Sequence, residues 1–235
     1  MSGNGRAARV ITAWARHPGR AIAFDFNGTL SNDEPLLLRL YTELFRLRLR
    51  WDLTPLDYFR RFAGRSDREI VETAVTEHAP ESAGLVAELL TAREARYREL
   101  VRERSPIEPA TGALVGLLRD HAVPLAIVTG AQRVDVDLVL GRSGLMTAFE
   151  VIVTEEDVRH GKPHPEGFAL AAALLGANPS AVLVFEDSIF GIMAAHAAGM
   201  TCIGVVGTKS RAELEPEADA VVDELGPALF DGALG

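Results

Sequence analysis

Apolar residues fall into two textures along this chain. Short apolar runs at 21–26, 125–129, 151–154, 181–186 and 201–206 are bounded mostly by Gly, Pro or polar residues, with a weaker sixth at 220–223. Runs of this length separated by helical stretches predict buried parallel strands in a βαβ series. The helical stretches lie at 111–121, 133–141, 165–175 and 189–198. From about Pro35 to Arg104 the texture changes, and no strand pattern occurs. Leu37, Leu40, Tyr41 and Leu44 share one helical face there, as do Val86, Leu90, Tyr97 and Val101. Thr54-Pro55 reads as a cap followed by proline at the first helical position. Ser66 and Glu69 read as a capping box that opens another helix. The pattern predicts an α/β fold interrupted, directly after its first strand, by an all-helical insert of about four helices. The core is expected at 1–34 and 106–235 and the insert at 35–105, with hinges near Ser31–Pro35 and Ser105–Pro109.

Composition narrows the partners. The 235 residues are 48% apolar, enough to bury a full core, so disorder is excluded. A net charge of −9 argues against nucleic acid or an anionic membrane as the main partner. It leaves phosphate esters open, since these need only a few local cations. Those cations are almost all Arg; lysine occurs only at Lys162 and Lys209. Cys202, the single cysteine, sits in an apolar run and reads as a buried strand thiol. The first 20 residues carry Arg6, Arg9, Arg16 and Arg20 among Ala, Val, Ile and Trp14. With no signal-peptide core and too short an apolar run to span a bilayer, they predict a short surface helix and a cytoplasmic protein.

The chemistry stands where the strands stop, the edge at which open α/β sheets bind ligands. The first strand ends in Asp25-Phe-Asn-Gly-Thr-Leu30 and the second in Val128-Thr129-Gly130. Gly161-Lys162-Pro-His-Pro165 follows the third, and the fourth ends in Phe185-Glu186-Asp187-Ser188. One edge thus gathers a nucleophile or metal ligand, a hydroxyl, an ammonium and an acidic pair. Phosphoryl transfer uses such parts: carboxylates hold a hard cation, while an ammonium and a hydroxyl grip phosphate oxygens. A carboxylate can itself be the nucleophile, forming an aspartyl-phosphate.

In order and content these four stretches resemble the haloacid dehalogenase superfamily, in the branch with a helical cap after the first strand and among its β-phosphoglucomutase-like phosphatases. The similarity runs from about Ala21 to Val206, and Glu186-Asp-Ser-Ile-Phe-Gly191 through Ala197-Ala-Gly-Met200 is its most specific part. The resemblance implies a Rossmann-like parallel-sheet core with an inserted helical cap, and hydrolysis of a small, sugar-phosphate-like metabolite. It implies that Asp25 attacks phosphorus, and that Asp25, the backbone carbonyl of Asn27, Glu186 and Asp187 bind Mg²⁺. It implies further that Thr129 and nearby backbone N–H groups, that of Gly130 among them, hold phosphoryl oxygens, and that Lys162 neutralises the transferring group. In relatives with this cap a cap loop reads the substrate. Ala63-Gly-Arg-Ser-Asp-Arg68 falls in the matching region, making Arg65 and Arg68 candidates for an anionic or hydroxyl-rich part of the substrate. The expected partner is that metabolite alone, bound by a monomer or weak homodimer.

One residue departs from the family pattern. Its phosphatases usually carry a second aspartate two positions after the nucleophile, as general acid and base; here that position is Asn27. An amide cannot shuttle a proton, and such help is worth about 10²–10⁴-fold in rate. A good leaving group, another proton donor (Asp33, Glu34 or His164), an engineered Asn27, or slow turnover on a phospholigand-binding scaffold are the alternatives. Sister activities fit less well. Phosphonate cleavage uses a cap lysine, and residues 35–105 contain none. Dehalogenation would leave the Glu186-Asp187 pair unexplained, and a phosphomutase leans harder on the missing carboxylate. His164 reads as a solvated helix-entry residue, the other histidines show no metal-ligand spacing, and no Gly-rich dinucleotide cradle occurs.

Overall fold

All six apolar runs become strands of one parallel sheet. In the computed structural model, which describes residues 3–82, 84–103 and 105–234, the strands end within one or two residues of the expected limits. Met1, Ser2, Ala83, Arg104 and Gly235 lie outside the described residues, and with them the outermost core positions and two positions of the 35–105 insert. In chain order, α1 (Gly3–Ala15) and β1 (Ala21–Phe24) are followed by α2 (Glu34–Leu49), α3 (Pro55–Arg61), α4 (Asp67–His78) and α5 (Leu85–Glu103). Next come α6 (Pro109–Asp120), β2 (Leu125–Val128), α7 (Arg133–Ser143) and β3 (Val151–Val153). The chain continues through α8 (Glu166–Leu175), β4 (Val182–Glu186), α9 (Ile189–Ala197), β5 (Thr201–Val205), α10 (Arg211–Leu214) and β6 (Ala220–Val222).

The strand order is β3-β2-β1-β4-β5-β6, every pair parallel. Side chains alternate between two apolar layers. Ile22, Phe24, Ile127, Phe185 and Ile203 join the layer that includes α1, α6 and α7. Ala21, Ala23, Val128, Val184 and Cys202 join the one with α8 and α9. A sheet covered on both faces explains why its strands read as continuous apolar runs. Because β1 lies between β2 and β4, the connections diverge on either side of its carboxyl end, and a crevice opens there.

The first helix keeps Arg6 and Arg9 exposed, as expected of a surface helix, but its inner face belongs to the core. Ala7, Ile11 and Trp14 form a buried stripe at helical spacing, packed beneath the sheet. The Trp14 indole N–H donates to the carbonyls of Ala21 (3.1 Å) and Ala181 (3.0 Å), bridging the entrances of β1 and β4.

Five helices stand between β1 and β2, and the first four of them, α2 to α5, make up the helical insert. The Thr54 hydroxyl caps α3 by accepting from the Asp57 N–H, and the Ser66–Glu69 capping box opens α4 as the sequence predicts. Trp51 is stacked between Phe45 (centroids 5.5 Å apart) and His78 (4.2 Å). In α5 the buried face carries Leu89, Arg93, Tyr97, Leu100 and Val101, with Val86 and Leu90 partly buried at its border. The two chain crossings into this insert are joined: the Asn32 N–H donates to the Pro106 carbonyl at 2.9 Å.

Candidate active site

Asp25 is the first residue beyond β1, held by its N–H donating to the Phe185 carbonyl of β4. The residue is 7% exposed and lines a cavity of about 50 Å³, room for a few waters, shared with Asn27, Glu34, Arg65, Thr129 and Lys162. The Lys162 ammonium donates to Asp25 Oδ1 at 2.5 Å and to Glu186 Oε1 at 2.7 Å. Glu186, the last residue of β4, accepts the Ser188 N–H on its other oxygen at 2.6 Å. Asp187 accepts from the Thr29 hydroxyl at 3.2 Å and the Thr208 N–H at 3.3 Å.

Two glycines make this packing possible. A Cβ on Gly191 would lie 1.7 Å from Glu186 Oε1, and one on Gly28, where φ is +82°, would lie 2.1 Å from Asp187 Oδ2. Carboxylates can sit so close to the backbone only where no side chain intervenes. Gly130 differs: its φ is not positive, and a Cβ there would meet Ser66 at an ordinary 3.5 Å.

Ligand oxygens of Asp25, Glu186 and Asp187 all lie within 4.8 Å of one another. Burial lifts the Asp25 carboxyl from 3.8 to about 7; Lys162 opposes that rise and Glu186 adds to it. Burial raises Asp187 well above its ordinary value too, with Glu186 and then Asp25 contributing. Burial works against the Lys162 ammonium, but Asp25 and Glu186 together lift it above the usual lysine range. Three clustered carboxylates facing one ammonium are under-neutralised. An all-oxygen donor set with that charge fits a hard divalent cation such as Mg²⁺.

The remaining sequence candidates divide. Thr129 borders the cavity, its hydroxyl accepting from the Ala131 N–H at 3.0 Å. The Asn27 side-chain amide donates to Asp33 at 2.6 Å, and the Tyr97 hydroxyl from α5 donates to the same Asp33 oxygen. Arg65 borders the 50 Å³ cavity. Arg68 instead lines an adjoining cavity of about 380 Å³, and pairs with Glu72 at 3.6 Å. His164 lies on that second cavity, half exposed, where its Nδ1 accepts from the Glu166 N–H. Contrary to the spacing argument, His160, His164 and Glu166 do converge. They are largely exposed, and the Glu166 carboxylate already accepts two backbone N–H groups, from Arg159 and His160.

Several neighbours were not singled out by the sequence. Tyr58 of α3 donates to Glu34 at 2.8 Å. Burial lifts Glu34 from 4.5 to about 8; the Tyr58 bond opposes this, and Asp33, Asp25 and Asp67 add to it. Its place in the first turn of α2 favours the anion by up to about 2 kcal/mol. That is roughly one and a half pKa units, less than the rise. The insert's loop rests on the core: a Cβ on Gly64 would come 3.1 Å from Ser188, and Lys209 donates to the Phe59 carbonyl at 3.2 Å. Deeper, Arg93 of α5 lies 3.0 Å from Asp67 of α4 and hydrogen-bonds Asp135 of α7. Tyr41 also donates to Asp67.

A family model described as haloacid dehalogenase-like hydrolase matches residues 20–199, from the start of β1 through α9. The chain belongs to the haloacid dehalogenase-like hydrolases. It is 34% identical over 209 residues to validoxylamine A 7′-phosphate phosphatase of Streptomyces hygroscopicus subsp. limoneus, covering 86% of this chain and 92% of that protein. CbbY from Rhodobacter sphaeroides, crystallised with xylulose-(1,5)bisphosphate, superposes with a TM-score of 0.77 at 26% identity, over 87% of this chain and 94% of that one. The β-phosphoglucomutase of Clostridium difficile shares the fold, with a TM-score of 0.79 at 21% identity over 92% and 96% of the two chains. The matched region of this haloacid dehalogenase-like hydrolase contains all four motif stretches, and no helix among the described residues is long and apolar enough to cross a membrane.

Proposed function

We propose that this protein is a Mg²⁺-dependent phosphatase of small, sugar-phosphate-like metabolites that works through an aspartyl-phosphate on Asp25. The observation that carries the reading is the buried Asp25–Lys162–Glu186–Asp187 cluster at the carboxyl ends of β1 and β4. A phosphatase relative that matches 86% of the chain, and a CbbY structure that holds a sugar bisphosphate and matches 87% of it, support the same substrate class.

Asp25, Glu186, Asp187 and the backbone carbonyl of Asn27 would hold the ion. Mg²⁺ bound there would offset the phosphate's negative charge. Lys162 orients Asp25 for in-line attack and neutralises the transferring group. Thr129 and the Gly130 N–H would grip equatorial oxygens. Residues 35–105 would act as a cap hinged at 31–35 and 105–109 on a core of 1–34 and 106–235. Arg65, on the same cavity as Asp25, would contact the substrate beyond its phosphate, with Arg68 serving the larger cavity.

The test is phosphate release from sugar, acyl and nucleotide phosphates with Mg²⁺ and with chelator, intact mass confirming Asn27 in the sample. Release that requires the metal is expected on at least one sugar phosphate. No release from any of them overturns the reading.

The cluster also sets a pH dependence. In the metal-free fold the Asp25 carboxyl titrates near 7 rather than 3.8, so across that window the folded state binds more protons than the unfolded one. Metal-free stability should therefore fall as pH rises through the window, and protons should compete with Mg²⁺ below about 7. Saturating Mg²⁺ is expected to raise the melting temperature more at about pH 8 than at about pH 6. Scanning fluorimetry checks this, and equal shifts would count against carboxylate ligation.

A further inference from the structure

We infer that Glu34 supplies the general acid and base that Asn27 cannot. The inference rests on the phosphatase reading above and names the proton carrier of that site.

Position 27 is built for an amide. Asn27 donates to Asp33 at 2.6 Å, and an aspartate at 27 would set two carboxylates against each other. Asp33 is fully buried, takes the Tyr97 and Asn27 bonds on one oxygen, and borders neither cavity. It holds Asn27 and does not reach a substrate. His164 lies on the larger cavity only.

The other carboxyls on the Asp25 cavity are committed. Glu186 and Asp187 belong to the metal cluster, Asp67 is paired with Arg93, and Glu69 closes the capping box with Ser66. Glu34 remains. It is 6% exposed, borders the same cavity as Asp25, and has no ion-pair partner among the described residues. The Tyr58 hydroxyl fills Oε2, which leaves Oε1 to carry the proton. Burial and the facing charges of Asp25, Asp33 and Asp67 favour the protonated form near neutrality.

In the first step an Asp25 oxygen bonds to phosphorus, the ester P–O bond breaks, and Glu34 gives its proton to the leaving oxygen. The alcohol departs neutral and Glu34 is left as the carboxylate. In the second step Glu34 takes a proton from the water that attacks phosphorus. The Asp25–phosphorus bond breaks, inorganic phosphate leaves, and Glu34 is again protonated.

The experiment compares kcat/KM, which reports through formation of the phosphoenzyme, for the best alkyl phosphate of the panel and for p-nitrophenyl phosphate. The latter's leaving group needs little protonation. Glu34→Gln is expected to lower kcat/KM on the alkyl phosphate by about 10²-fold or more, with a loss on p-nitrophenyl phosphate at least roughly ten-fold smaller. Glu34→Ala should recover part of its alkyl-phosphate activity when formate is added. Equal losses on both substrates without formate rescue, or undiminished alkyl-phosphate turnover in a folded Glu34→Gln, overturn the inference and leave the phosphatase standing. A wild type without metal-dependent release on either substrate overturns the phosphatase reading and this inference with it.

Discussion

Asp25→Asn is expected to reduce metal-dependent phosphate release by at least about 10⁴-fold, the scale on which enzymes lose rate when their nucleophile is removed. The substitution keeps size and shape and removes the charge of the oxygen proposed to attack. Lys162 keeps Glu186 at 2.7 Å, so the ammonium stays anchored. The same change should relieve the fold. In the metal-free protein Asp25 is a buried carboxyl raised to about 7, crowded by Glu186 and Asp187. Above that pH its ionised form is held against burial and like charge, and an amide is not. Metal-free Asp25→Asn is therefore expected to melt no lower than wild type at about pH 8, while its Mg²⁺-induced stabilisation shrinks. Turnover and melting temperature measured on one preparation check both halves. Activity retained in the variant would remove Asp25 as the nucleophile.

Arg93→Ala is expected to cost as much stability as truncating one of the insert's fully buried aromatic side chains. The guanidinium is 1% exposed, lies against the Tyr97 ring at 4.5 Å, and answers Asp67 and Asp135, both buried. Asp67 opens α4 beside the loop that carries Arg65 and Ser66, whereas Asp135 sits in α7 of the core. Removing the arginine strands two buried carboxylates, a loss of about 3–5 kcal/mol for a broken buried pair. For a domain of this size that is a fall of roughly 6–20 °C in melting temperature. Arg93→Ala combined with Asp135→Ala should cost less than the two single losses added, because the second change removes one stranded charge. A fall under about 2 °C would mean that Asp67 and Asp135 find other partners.

Those two residues mark what the sequence could convey and what it could not. The parallel sheet is legible because strands buried on both faces leave unbroken apolar runs, and the candidate site is legible because its residues stand at strand ends. Asp25, Thr129, Lys162, Glu186 and Asp187 converge in the structure as their positions suggested. Arg93 carries a signal of its own: it lies four residues before Tyr97 and three after Leu90, an arginine on an apolar helical face. The faces themselves blurred in α5, where the true stripe runs through Leu89 and Leu100 rather than Val86 and Leu90. The support of Asn27 by Asp33, and of Asp33 by Tyr97 from a helix 64 residues away, follows from a loop conformation and a docking that no periodicity encodes. Tyr58 beside Glu34 is hidden for the same reason. In the first helix a conspicuous set of exposed arginines masks the Ala7–Ile11–Trp14 stripe on the opposite face.

Trp14 and Trp51 are the chain's only tryptophans. One indole is fixed beneath the sheet by two backbone carbonyls, and the other is sandwiched between a phenylalanine and an imidazole among the inserted helices. The molecule therefore carries a natural pair of optical reporters, one on each side of the crossings at 31–35 and 105–109. Replacing either with phenylalanine leaves a single emitter, and the light from that protein follows the melting of one half of the fold without any attached dye.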